Sequence, residues 1–151
     1  MIQGVRTKVL KANADERGYL MELLRADEAI FEKFGQCYVA LNYPGVIRAW
    51  HYHKLQSDFW AVVSGAIKAV LYDMRDGSAT KGVVEEYFLG DHSDIMLSIP
   101  PCVLHGYKTI GVEPSLLLNF PTEPYNHDAP DEYRLPWDSP EVPYDWAIRM
   151  R

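Results

Sequence analysis

The chain has 151 residues, a formal net charge of −6 at neutral pH and 48% hydrophobic residues. This length predicts one globular domain, residues 1–151, with a substantial hydrophobic core. The acidic balance argues against a nucleic-acid-binding protein, because phosphate neutralisation requires clustered Lys and Arg.

The sequence also argues against membrane insertion and secretion. No apolar run approaches the roughly 18 residues that a membrane-spanning helix needs. The first residues do not combine a basic region with an apolar one, as a secretory signal does. Cys37 and Cys102 are the only cysteines, too few for a disulfide framework. We therefore expect a cytoplasmic protein with no nucleic-acid and no membrane partner.

The pattern along the chain is mostly that of β-strands. Short runs rich in Val, Leu, Ile and Tyr alternate with turn-prone residues. They predict strands at 5–11, 19–24, 36–43, 46–53, 59–64, 66–73, 83–89, 95–99, 103–109 and 115–120. This series indicates an all-β sandwich, jelly roll or small barrel.

Two segments depart from the strand pattern. Ile30, Phe31 and Phe34 have roughly helical spacing before Gly35, which predicts one short helix over 26–34. From residue 121 onward, proline is interleaved with Tyr, Trp and acidic residues. This composition is too aromatic for a free tail, so we expect 121–151 to be irregular and packed on the domain.

A group of histidines and one carboxylate is the strongest candidate site. His51 and His53 project to the same face of a predicted strand. Asp58 begins the next strand, where antiparallel pairing brings it back toward them. His105 is the third histidine of the group. Alone, a His-x-His pair on a strand is more often a hydrogen-bonded part of the strand surface than a functional site. The addition of Asp58 and His105 favours a functional site. His92 and His127 lie in turn-rich stretches and are expected at the surface.

The spacing in this region resembles the first motif of the cupin superfamily. The motif G-x5-H-x-H-x4-E-x6-G is matched at every spacing, with aspartate replacing glutamate, by Gly45, His51, His53, Asp58 and Gly65. The second motif is partly present, since 100–105 supplies its proline and histidine. The resemblance implies a cupin jelly roll, a double-stranded β-helix. It also implies an alternative in which a divalent ion is bound by His51, His53, Asp58 and His105.

A longer resemblance covers nearly the whole chain. Segments 15–22, 46–52, 62–65, 99–107, 125–126 and 143–146 are similar, in this order, to the landmarks of the dTDP-4-dehydrorhamnose 3,5-epimerase family. That family consists of dimeric cupin-fold enzymes that act without metal on a nucleotide-linked 4-keto sugar. The resemblance implies a homodimeric, cofactor-free isomerase on a route to surface polysaccharide or a decorated metabolite.

The resemblance also implies roles for particular residues. His51 is similar to the catalytic base and His105 to a second active-site histidine, while Arg17 and Arg48 are similar to arginines that contact the diphosphate. Glu22 is similar to a residue near the nucleotide. The chemistry is consistent, because a neutral imidazole suits removal of a proton alpha to a ketone, and a guanidinium suits phosphate oxygens.

Several positions depart from the family pattern. Asp58 stands where the family places a lysine, His53 where it places a glutamine, and Asn119 where it places a proton-donating tyrosine six residues before Tyr125. We assign His53, Asn119 and Tyr125 to the substrate site. The aspartate that orients the base corresponds to Asp138, or to Ser139 after a shift of one position.

These departures leave alternative hypotheses open. A divalent ion at the four-residue group would polarise the ketone in place of the lysine. His51 would then be a ligand, and the base would be one of Tyr52, Tyr107 and Tyr125. The stretch 48–54 also resembles R-G-x-H-A-H-K of nucleotide-sugar 3,4-ketoisomerases. A non-catalytic sugar-binding cupin is the contrasting hypothesis.

Overall fold

A computed structural model describes residues 1–91 and 93–149, which form β-strands joined by turns and loops. The strands are β1 Arg6–Val9, β2 Ala12–Asp15, β3 Gly18–Met21, β4 Tyr38–Asn42, β5 Ile47–Tyr52, β6 Asp58–Ser64, β7 Ala66–Tyr72, β8 Val84–Gly90, β9 Ile95–Ile99, β10 Leu104–Ile110, β11 Ser115–Asn119 and β12 Tyr133–Arg134. Each of the ten predicted strands overlaps one of these. The short strands β2 and β12 were not predicted.

The strands form two five-stranded antiparallel sheets. The first has the order β1-β9-β6-β11-β4 and the second the order β12-β5-β10-β7-β8, while β2 and β3 form a separate hairpin. The architecture confirms the predicted all-β cupin jelly roll. Strand β5, which carries His51 and ends one residue before His53, lies between β10 and β12 in the second sheet.

The main core lies between the two sheets, where alternate side chains of each strand point inward. Trp60, Leu97 and Leu117 of the first sheet pack in one cluster with Ile67 and Leu71 of the second. Burial of such side chains contributes roughly 1.5–3 kcal/mol each. This core fixes the two sheets as facing walls with the histidine site at one end.

The predicted helix over 26–34 is wrong, because these residues form turns. The Arg6 guanidinium donates to the Ala29 carbonyl at 3.0 Å, so this carbonyl is occupied by a side chain rather than by a helical N–H. Gly35 is not a helix cap: its amide donates to the Pro121 carbonyl at 2.9 Å. A Cβ atom at Gly35 would lie 2.3 Å from the Glu123 backbone, so glycine is required for close approach.

The segment after residue 121 is largely irregular and lies against the second sheet. Val142 and Trp146 are buried in a cluster with Trp50 and Leu104. The Trp50 indole donates to the Trp137 carbonyl at 3.1 Å. These contacts attach the C-terminal segment to β5 beside the histidine pair.

None of the described residues forms a helix long and apolar enough to cross a membrane. His127 is exposed, as expected. His92 lies outside the described residues.

Candidate functional site

Three histidines and one aspartate converge at one end of the two sheets. His51 on β5 lies directly opposite His105 on β10, and their ring centroids are 4.2 Å apart. His53 and Asp58 complete the group, in which one potential ligand atom of each residue lies within 4.8 Å of the others. The structure thus brings together all four residues that the sequence pattern grouped.

Close approach of β5 and β10 depends on Gly106, the residue after His105. A Cβ atom at Gly106 would lie 2.3 Å from the Ala49 Cβ atom and 2.9 Å from the Arg48 carbonyl oxygen. The strand pairing is irregular between His105 and Tyr107. Glycine therefore allows the strands that carry His51 and His105 to pack together.

Backbone carbonyls determine which ring nitrogen carries a proton in two of the imidazoles. The Nδ1 atom of His53 hydrogen-bonds the Asp131 carbonyl, and Nδ1 of His105 hydrogen-bonds the Val103 carbonyl at 2.8 Å. Because a carbonyl only accepts, each Nδ1 must carry a proton. The Nε2 atoms of His53 and His105 are therefore free to face the carboxylate of Asp58.

Asp58 lies between these two Nε2 atoms. Its Oδ2 atom is 3.4 Å from Nε2 of His53 and 3.3 Å from Nε2 of His105, while its Oδ1 accepts a hydrogen bond from Gln56 at 2.9 Å. In the part of the chain that the structure describes, Asp58 Oδ2 and His105 Nε2 are buried without a hydrogen-bond partner. A proton or a cation between them would satisfy both atoms.

The titration properties of the group differ among its members. Burial raises the pKa of Asp58, but the imidazoles of His105 and His53 outweigh burial and lower it. Burial lowers the pKa of His53, but the Asp58 carboxylate and the Asp131 carbonyl outweigh it and raise the pKa. For His51, burial and the neighbouring His105 lower the pKa well below its usual value, against the opposing effect of Asp58. His51 is therefore a neutral imidazole near pH 7.

Two cavities meet at His51. The first, of about 380 Å³, is lined on one side by Arg48 and Arg134. The second, of about 930 Å³, includes His53 and Tyr125. The residues that line both cavities are Tyr38, His51 and Glu132. Their sizes are those of small-molecule sites. The first cavity forms a basic compartment beside His51, since two arginines line it together with one carboxylate, Glu132, which pairs with Arg134 at 2.7 Å.

Two other predicted site residues, Asn119 and Asp138, line neither cavity. Asn119 is fully buried behind the cavities, and its side-chain amide donates to the Tyr38 hydroxyl at 2.9 Å. Asp138 is exposed and lines neither cavity that His51 lines, whereas Ser139 is buried. Among the described residues, no hydrogen bond joins Asp138 to His51, and the role of Asp138 in orienting His51 stays a prediction.

Arg17 and Glu22 also lie outside both cavities. Arg17 is at the tip of the β2–β3 hairpin, where it pairs with Asp15 at 2.5 Å and its side chain is 84% exposed. Glu22 follows the hairpin and pairs with Arg25 at 2.8 Å. Neither residue reaches His51 of its own chain.

Sequence reasoning missed several residues that line the cavities. Arg134 belongs to β12, which pairs directly with His51 of β5, and Tyr38 begins the edge strand β4. Glu132 and Trp137 come from the segment that was expected to be irregular. Only the aromatic composition of that segment signalled its proximity to the site.

Comparison with known proteins identifies the family. The model of the dTDP-4-dehydrorhamnose 3,5-epimerase family matches residues 1–151. The chain belongs to this family. Membership confirms the predicted family and the predicted class of enzyme, a nucleotide-sugar epimerase and thus an isomerase.

Individual relatives of this epimerase agree with the family match. The spore coat polysaccharide biosynthesis protein SpsL of Bacillus subtilis is 43% identical over 151 residues, covering 100% of both chains. A dTDP-4-dehydrorhamnose 3,5-epimerase of Methanothermobacter thermautotrophicus is 31% identical over 144 residues, covering 90% of this chain and 75% of that one. A dTDP sugar isomerase structure from Desulfovibrio desulfuricans has a TM-score of 0.91 and 32% identity, covering 96% of this chain and 92% of that one.

Epimerases of this family are cofactor-independent, yet the histidine group of this epimerase also fits a divalent cation. Both Nδ1 atoms of His53 and His105 bond backbone carbonyls, the outer-shell arrangement typical of metal-bound histidines. Their Nε2 atoms and Asp58 Oδ2 converge. The donor set, imidazole nitrogen with carboxylate oxygen, suits Zn, Fe, Mn or Ni.

Proposed function

We propose that this epimerase inverts one or both carbons next to the ketone of a nucleotide-diphosphate 4-keto sugar, with His51 as the base. The observation that carries the proposal is the position of His51, a neutral imidazole at the junction of two cavities, one of which contains Arg48 and Arg134. The sugar ring would lie over His51, and the diphosphate would lie in the basic compartment.

The chemistry of this reaction matches the groups present. Removal of the proton alpha to the ketone leaves an enolate, and a neutral imidazole is well matched to that step near pH 7. Guanidinium groups present paired donors to phosphate oxygens. Arg48 is held for this role, since its Nε atom donates to Asn42 Oδ1 at 2.5 Å. The buried Asn42 thereby fixes the arginine beside the cavity.

Incubation with a dTDP-linked 4-keto-6-deoxyhexose in deuterated water tests the proposal. Deuterium at C3 or C5 with inversion supports an epimerase. Movement of the carbonyl to C3 would instead indicate a ketoisomerase, and binding without exchange would indicate a sugar-binding cupin. His51→Asn should abolish exchange, whereas Tyr43→Phe is the control: Tyr43 is 68% exposed and lines neither cavity.

We further propose a cytoplasmic homodimer of single-domain subunits in which the β2–β3 hairpin completes the partner's site. Two apolar side chains of the hairpin, Tyr19 and Leu20, are 63% and 65% exposed, which favours their burial in an interface. Arg17 and Glu22 lie on or next to the same hairpin, so association would bring them to a second copy. The free thiols of Cys37 and Cys102 suit a reducing compartment.

Divalent-metal chemistry is the second candidate, favoured by the unpartnered atoms Asp58 Oδ2 and His105 Nε2. His53, Asp58 and His105 would hold the ion, with His51 as fourth ligand when it is not the base. A bound ion would act as a Lewis acid that polarises the ketone. The chain's own contribution is to fix both imidazoles through their Nδ1 hydrogen bonds.

Metal analysis of protein purified from metal-replete medium tests this candidate. Near-stoichiometric metal in the wild type, lost in Asp58→Asn, would support it. Visible absorption of the Co²⁺-substituted protein, absent in the variant, provides a readout that does not depend on activity. A metal-free protein that turns over the keto sugar would eliminate the metal role.

A further inference from the structure

Inversion next to a ketone requires two proton-transfer groups on opposite faces of the substrate. If His51 removes the proton from one face, a second group must deliver a proton to the other. Position 119, where the resemblance led us to expect a tyrosine, is Asn119, whose amide cannot serve as that acid. Another group at the same junction has to deliver this proton. Besides His51, the side chains that line both cavities are Glu132, which pairs with Arg134 at 2.7 Å, and Tyr38.

Tyr38 faces the junction of the two cavities. It lines both cavities that His51 lines. Tyr38 begins β4, the edge strand of the first sheet, whereas His51 lies on β5 in the second sheet. The two side chains thus reach the shared junction from different walls of the jelly roll. A sugar ring bound there would have one residue on each side.

A hydrogen bond from the Asn119 side chain fixes the position of the Tyr38 hydroxyl. Asn119 lies directly opposite Tyr38 on β11 and is fully buried. Its Oδ1 atom accepts from the Phe59 amide at 3.2 Å, which directs its Nδ2 atom to the Tyr38 oxygen at 2.9 Å. Because this amide donates, the tyrosine oxygen accepts and its own proton remains available. Among the described residues, no hydrogen bond has the Tyr38 hydroxyl as donor.

The other tyrosines near the site are less suited. The Tyr107 hydroxyl already donates to Asn42 at 3.1 Å. Tyr125 lines only the larger cavity and packs edge-on against His127, with ring centroids 4.9 Å apart. Tyr52 stacks on Tyr133 with centroids 5.0 Å apart and lines neither cavity. Tyr38 alone among these four shares both cavities with His51.

We propose that Tyr38 is the catalytic acid that delivers a proton to the face opposite His51, an inference that rests on the proposed epimerase function. In this step the alpha C–H bond breaks, its proton passes to the His51 imidazole, and its electron pair forms the enolate. The enolate carbon then forms a new C–H bond with the hydroxyl proton of Tyr38. Solvent reprotonates the phenolate and removes the proton from His51.

The environment of the hydroxyl agrees with a role as donor. Burial, and then the negative charge of Asp58, raise the pKa of Tyr38 to about 12. The phenol is therefore protonated near pH 7. Asn119 remains a positioning residue, because it acts only through the tyrosine.

The experiment compares wild type, Tyr38→Phe, His51→Asn and Tyr43→Phe with a dTDP-linked 4-keto-6-deoxyhexose in deuterated water. Tyr38→Phe should still exchange the alpha proton through His51, but formation of the inverted sugar should fall by about 10²–10⁴-fold. His51→Asn should lose both exchange and inversion, and Tyr43→Phe, at a tyrosine that is 68% exposed and lines neither cavity, should match wild type. Retained exchange in Tyr38→Phe also reports that its site is folded.

The outcomes separate this inference from the proposed function. If Tyr38→Phe forms the inverted product at the wild-type rate, the role of Tyr38 is wrong while the epimerase function stands. If Tyr38→Phe binds dTDP normally but loses exchange together with inversion, Tyr38 is not an acid acting after deprotonation. If wild type neither exchanges nor inverts, the proposed function fails, and the inference fails with it.

Discussion

His51 and His105 face each other across β5 and β10, with their ring centroids 4.2 Å apart. Two imidazoles so close cannot both be protonated without repulsion. His105 lies beside the Asp58 carboxylate, whereas His51 borders both cavities. Burial and the neighbouring His105 lower the pKa of His51, which favours its neutral form.

The pH dependence of activity should reveal this neutral state. Burial and the neighbouring His105 lower the pKa of His51, so its neutral form persists at lower pH than that of a free histidine. Activity is then present above the lowered pKa and is lost as pH falls through it. We expect the acid limb of kcat/KM to have its midpoint below about 6.5, the ordinary histidine value. A midpoint at or above that value would contradict the assignment of His51 as the base.

Removal of a cavity arginine should weaken substrate binding. Arg48 and Arg134 line the same cavity, and a hydrogen bond to a charged group contributes about 1.5–3 kcal/mol. We expect Arg134→Gln to raise KM for a nucleotide sugar by about 10- to 100-fold with a smaller change in kcat. Lys81→Gln is the charge-matched control, since Lys81 pairs with Asp76 and lines neither cavity. Equal KM values for the two variants would exclude Arg134 from the substrate site.

The sequence predicts some parts of this site and not others, for physical reasons. His51 and His53 share a strand face because side chains alternate, so their convergence follows from local pattern. Arg134 and Tyr38 reach the site through long-range strand pairing, which local pattern does not encode. The prediction of a helix over 26–34 was wrong because the Arg6 side chain donates a hydrogen bond to the Ala29 carbonyl. This tertiary contact overrides the helical spacing of the apolar residues.

Gly106 should be intolerant of even a methyl group. A Cβ atom there would lie 2.3 Å from the Ala49 Cβ atom, so Gly106→Ala must push β10 away from β5. Overpacking of this kind costs about 1–3 kcal/mol, and it would separate His105 from His51. We expect a lower midpoint of thermal unfolding together with reduced activity. Unchanged stability would show that the strands have space to relax.

Gly77→Ala provides a comparison for this substitution. Gly77 has a positive φ of 78°, but a Cβ atom added there would meet no other atom within 4 Å, so the cost is confined to backbone conformation. Gly77 lies in the turn after β7 and lines neither cavity. The Gly77→Ala variant should therefore lose some stability while activity per folded molecule stays at the wild-type level.

Mixing two inactive variants should test whether sites are shared between subunits. The Arg17 side chain is 84% exposed and does not line the cavities of its own chain. If the hairpin serves the partner's site, a mixed dimer of Arg17→Ala and His51→Asn contains one intact site, built from His51 of one chain and Arg17 of the other. Co-expression should then restore activity well above either variant alone.

The double variant Arg17→Ala/His51→Asn, co-expressed with wild type, is the matched control for this experiment. In that mixed dimer, one site lacks His51 and the other lacks the partner's Arg17, so neither is intact. Activity should then come only from wild-type dimers. Light scattering during size-exclusion chromatography checks that every mixture is dimeric. Failure of the two single variants to complement each other, in protein that is dimeric, would place Arg17 outside the partner's site.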